Sequence, residues 1–80
     1  MDLFQDLQNE CGCYYVSDLP KLWREKRKAM ARTITTLTFR GYPLTQWYDL
    51  CNYLQVPFCE EDLKTPIQIR TLFQHYLLDD

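Results

Sequence analysis

Leu44, Trp47, Tyr48, Cys51 and Leu54 recur at three- and four-residue intervals between Pro43 and Pro57. A helix advances 3.6 residues per turn, so these side chains share one face, and that face must be buried against something. The residue before a proline disfavours helix, so Val56 and Pro57 end the segment and the spacing predicts a helix over Leu44–Leu54. Two further stretches carry matching stripes. Behind Asp2, a suitable N-cap, Leu3, Phe4, Leu7 and Cys11 fall on one face, and Gly12 follows as a helix terminator. Near the other end, Thr65-Pro66-Ile67-Gln68 has threonine at the cap, proline at the first position and glutamine at the third. That is a capping-box pattern, and Ile69, Leu72, Phe73 and Tyr76 supply the core face beyond it.

The remaining helix opens at Ser17 and Asp18, with Pro20 in its first turn, and runs through Ala29, Met30 and Ile34 to about Leu37. Thr33, Thr35, Thr36 and Thr38 weaken its far end, because β-branched side chains lose rotamer freedom in a helix. The expected fold is therefore all-α, a compact bundle of about four helices in one domain over residues 1–80. A short extended segment is allowed near residues 13–16 or 35–39.

Eighty residues leave room for one modest core, and a chain of that size buries only roughly 60% of its unfolded surface. No run approaches the ~20 apolar residues of a membrane span. The opening Met1-Asp2-Leu3-Phe4-Gln5-Asp6 is acidic, unlike the positive start and apolar run of a secretory signal, so a cytoplasmic location is expected. In that reducing compartment the four cysteines are expected as free, mostly buried thiols.

Cys11, Cys13, Cys51, Cys59 and His75 could together supply four zinc ligands, but C-x-C and C-x7-C are not the paired knuckles of structural zinc sites. No metal is expected. A Cys51 or Cys59 nucleophile would need His75 as its base, and nothing in the spacing brings them together. There is no glycine-rich loop, no strand-to-helix elbow, and Glu60-Glu61-Asp62 reads as an exposed acidic turn. Neither an enzyme nor a cofactor is expected.

Charge is the most informative functional feature. Between Lys21 and Arg40 lie seven of the nine basic residues against Glu25 alone, a formal +6, while residues 1–20 and 41–80 each carry −4. On one continuous helix Lys21, Arg24, Lys28 and Arg32 form a stripe, with Leu19, Trp23, Met30, Ile34 and Leu37 opposite. The stripe is either a solvated face, partly neutralised by acids on neighbouring helices, or a contact for an anionic partner. Lys26 is out of place, falling among the apolar residues between Trp23 and Met30. A helix beginning nearer Arg24, or a lysine stem lying along the core, would accommodate it.

Nucleic acid is one candidate partner, through a faint helix-turn-helix outline around Gly41. The would-be recognition helix Leu44–Leu54 has no Lys or Arg, carries Asp49, and sits in a chain of net charge −2. An acidic surface on a larger protein is the leading partner. Twelve of eighty residues are aromatic, more than a small bundle encloses, and Tyr53 is expected on the outer face of its helix with Gln46 and Asp49. Tyr14, Tyr15 and Tyr42 are expected in loops. Exposed tyrosine and arginine dominate interface hot spots. The expected function is a non-enzymatic interaction module, an adaptor or inhibitor, binding through Lys21, Arg24, Lys28, Arg32 and Tyr53. A small nucleic-acid-associated regulator is the alternative.

Overall fold

Asp2 accepts hydrogen bonds from the backbone N–H groups of Phe4 and Gln5 at 3.0 and 3.3 Å and opens helix α1, Leu3–Cys11. Gly12 ends it in the left-handed region at φ 72°, where the Cys13 N–H closes back on the Gln8 carbonyl at 3.1 Å. The structure, a computed structural model, describes residues 2–78. After a 3-10 turn at Val16–Asp18 come α2 (Leu19–Glu25), α3 (Arg27–Leu37) and α4 (Leu44–Leu54). A second 3-10 turn, Glu60–Asp62, precedes α5 (Pro66–Leu78). The fold is all-α, as expected, with five helices and no strand among the described residues.

The single helix expected from Asp18 to Leu37 is two helices. Lys26 leaves helical geometry at φ −132°, ψ 50°, between α2 and α3. The reason is the misplaced lysine. Along a continuous helix Lys26 would enter the apolar face, whereas the break leaves it exposed while Trp23 and Met30 on either side are both 3% exposed. Ser17 and Asp18 lie in the preceding turn, and Asp18 makes no side-chain cap bond.

The threonine-rich end of α3 stays helical. Hydroxyls of Thr33, Thr35, Thr36 and Thr38 donate to the carbonyls of Ala29, Arg32, Thr33 and Thr35, so each polar group has a partner within its own helix. Residues 35–37 therefore belong to a helix, and around residues 13–16 only Tyr15 is shown with extended dihedrals, ahead of the 3-10 turn.

α3 and α5 form the main helix pair, with α1 against α3 and α4, and α2 against α3 and α4. Leu3, Leu7, Leu19, Ile34, Leu37, Leu50, Ile69 and Phe73 are essentially inaccessible to solvent. Phe73 on α5 sits between the two tryptophans, 5.9 Å from the Trp23 ring and 6.3 Å from that of Trp47. The capping box forms as expected: Gln68 N–H donates to Thr65 Oγ1, and Gln68 Oε1 accepts from the N–H groups of Thr65 and Lys64. No helix among the described residues is long and apolar enough to cross a membrane.

Candidate functional site

Because α2 and α3 are separate helices, the expected stripe does not run along one axis. Lys21 and Arg24 belong to α2, Lys28 and Arg32 to α3, and all four are exposed. Lys21 lines a depression of about 420 Å³ beside Asp18, Glu25, Lys26 and Tyr14, so acids accompany it. Arg40, at the end of the same basic segment, is paired with Glu10 of α1 at 3.4 Å. Neighbouring helices thus answer part of the positive charge, but not all of it.

Arg24 has a different environment. With Trp23, Arg27, Pro20, Tyr53 and Gln55 it lines a cleft of about 200 Å³ between α2 and the end of α4. Two residues expected to bind from different helices, Arg24 and Tyr53, therefore meet at one place. Among the described residues no carboxylate pairs with either Arg24 or Arg27. Arg27 makes cation–π contacts, with its guanidinium carbon 5.5 Å from the Trp23 ring centre and 5.7 Å from that of Tyr76. Arg27 had no part in the expected site. No local spacing announced it, because Trp23 and Arg27 lie on either side of the break at Lys26 and not on one continuous helix.

Tyr53 is 39% exposed, with its ring edge-on to Phe4 at 5.7 Å and its hydroxyl 3.4 Å from the Val16 carbonyl. Gln46 corrects the expectation of a shared outer face, since its Oε1 accepts from the Leu3 N–H at 2.8 Å and ties α4 to α1. Tyr42 is likewise not a loop aromatic in solvent. It is 6% exposed, edge-on to Trp47, with its hydroxyl donating to Asp6. Tyr14 and Tyr15 are exposed, as expected of loop residues. Phe39, also exposed, has the Arg70 guanidinium 5.6 Å above its ring.

The cysteines are unpaired, as expected, but not mostly buried: Cys51 on the core face of α4 is buried, Cys11 and Cys13 at the end of α1 are half-buried, and Cys59 in the loop after α4 is exposed. Burial pushes the Cys51 thiol up to about 12, and burial, with Cys13 and Glu10 nearby, pushes Cys11 up to about 11. Thiols held protonated this far are poor nucleophiles near neutral pH. Cys59 and His75 do line one shallow depression, with Asp62 and Gln68, but no hydrogen bond joins them. Among the described residues no three His, Cys, Asp or Glu side chains converge as metal ligands.

Around Gly41, α3 packs mainly against α5, while α4 lies against α1 and α2. Comparison with protein-family models, curated proteins and solved structures finds no match to the chain.

Proposed function

We propose that the chain is a non-enzymatic interaction module, an adaptor or inhibitor acting in the cytoplasm, that binds an acidic surface of a larger protein. The observation that carries this reading is the shared cleft of Arg24 and Tyr53, with Arg27 and the rim of Trp23 beside them. Arginine, tyrosine and tryptophan clustered at a partly enclosed point are the composition of an interface hot spot. Lys21 on α2 and Lys28 and Arg32 on α3 are further exposed charges on the two helices that supply Arg24 and Arg27. Charges of that kind steer association more than they hold a complex together. Extended nucleic acid is disfavoured by α4, which contributes Tyr53 but has no Lys or Arg and carries exposed Asp49 one turn earlier.

The test is capture from native lysate, with and without nuclease, followed by kinetics on the captured protein. The parent chain is compared with the triple variant Arg24→Gln, Lys28→Gln, Arg32→Gln and with Tyr53→Ala. The module reading expects nuclease-resistant capture, slower association for the triple variant and faster dissociation for Tyr53→Ala. Capture abolished by nuclease would transfer the function to nucleic acid, and unchanged kinetics in both variants would reduce these residues to solvated surface.

A further inference from the structure

We propose that the cleft between α2 and the end of α4 is a receptor for a single carboxylate side chain of an acidic protein segment, seated between Arg24 and Arg27. This deepens the module reading and rests on it for the identity of the partner as a protein. Three observations point to that occupant.

The first is uncompensated charge. Two guanidinium groups line the cleft and no acidic side chain does. Glu25, the acid between them in sequence, lines the other depression with Lys21 and Lys26 instead. Arg27 is the first residue of α3, a helix with no acidic residue in its first turn and no side-chain cap from Lys26. The positive end of that helix dipole adds to the same local potential.

The second is preorganisation. The Arg27 guanidinium carbon lies 5.5 Å from the Trp23 ring centre and 5.7 Å from that of Tyr76, two rings set 72° apart, and these paired cation–π contacts restrict where the group can go. A guanidinium held through cation–π contacts keeps N–H groups for hydrogen bonding, and its edge matches the two oxygens of a carboxylate. Trp23 is itself 3% exposed, so this platform is anchored in the core.

The third is size and surroundings. About 200 Å³ is below the range of roughly 300–1,000 Å³ typical of pockets that enclose a whole small molecule. It suits one side chain entering from a chain that lies outside. Pro20 and the Tyr53 ring supply apolar walls for the methylenes of a glutamate. A phosphate backbone leaving the cleft along α4 would meet Asp49, whereas a peptide places its next charge where its sequence allows.

The experiment is an NMR titration of the 15N-labelled chain with N-acetyl hexaglutamate amide, following the Nε–H signals of Arg24 and Arg27 and the Trp23 indole N–H. These three signals should shift saturably. Arg24→Gln with Arg27→Gln should weaken binding at least tenfold, whereas Lys64→Gln with Arg70→Gln, removing equal charge from outside the proposed binding surface, should weaken it less than threefold. Equal losses in the two pairs, or shifts that miss the cleft, would overturn the proposal. So would hexathymidylate producing the same shifts at lower concentration. Should the first pair fail to fold, Arg24→Gln alone, which disturbs no ring stack, must still weaken binding at least threefold. The two readings fail separately. Peptide binding at the cleft without any protein partner would sink the module, and a partner held equally well by Arg24→Gln would sink the receptor.

Discussion

The Tyr42 hydroxyl donates a hydrogen bond to the carboxylate of Asp6, 36 residues earlier in the chain. It joins the loop after α3 to the middle of α1, and the Arg40–Glu10 pair lies beside it on the same two elements. Tyr42→Phe should therefore destabilise the fold by about 1.5–3 kcal/mol, the range for a hydrogen bond to a charged group. Urea unfolding would show this, and in Asp6→Asn the same Tyr42→Phe change should cost measurably less. Equal losses in both backgrounds would mean that the two residues do not interact in solution.

The reciprocal bonds between Thr65 and Gln68 hold the first turn of α5. Thr65→Ala should cost about 1 kcal/mol, and Thr65→Asp should recover most of it. Thermal unfolding of the three proteins would rank them. A Thr65→Ala protein as stable as the parent would show that packing alone sets the start of α5.

Alkaline pH should destabilise the protein through Cys51. Its thiol, with an ordinary value near 9, is raised to about 12 by burial. The unfolded chain therefore releases this proton first. The contribution of the neutral thiol is fully present below about 9 and is lost as pH rises toward 12. Cys11, at about 11, and Tyr42, raised by burial and then by its bond to Asp6, act in the same direction. Urea midpoints measured from pH 7 to 11 should fall at the alkaline end, less steeply in Cys51→Ala. A parallel decline in that variant would place the titration elsewhere.

Gln55 ends α4 at φ 62°, ψ 40°, a left-handed conformation that favours glycine. The cap is otherwise well made, with the Val56 N–H donating to the Cys51 carbonyl at 2.8 Å. Gln55→Gly should stabilise the fold by up to about 1 kcal/mol, and Gln55→Val should destabilise it. Chemical unfolding of both variants gives the sign.

The elements that were legible in the sequence are those whose signals are local. Asp2 and Gly12 bound α1, Pro43 and Pro57 bracket α4, and Thr65-Pro66 starts α5, each through backbone chemistry within a few residues. The break at Lys26 was visible only as a contradiction, a cation on an apolar face. Its resolution depended on how Trp23 and Met30 are both buried. Burial of Tyr42 was hidden because its partners, Asp6 and Trp47, lie on two other helices. For the candidate site, Arg24 and Tyr53 were legible as residue types, but their meeting was not. It depends on the packing of α2 against α4, which no periodicity encodes.

Phe73 has a further consequence for how the chain is made. It lies against both tryptophans, and its helix is the main partner of α3, yet α5 is synthesised after α1 to α4. While α1 to α4 leave the ribosome, the face of α3 that α5 will cover is bare. The nascent protein cannot close its core around Trp23 and Trp47 until residues 66–78 are delivered. Closure of this core is thereby deferred until α5 has emerged, and a chain halted before α5 offers that uncovered apolar surface to chaperones and proteases.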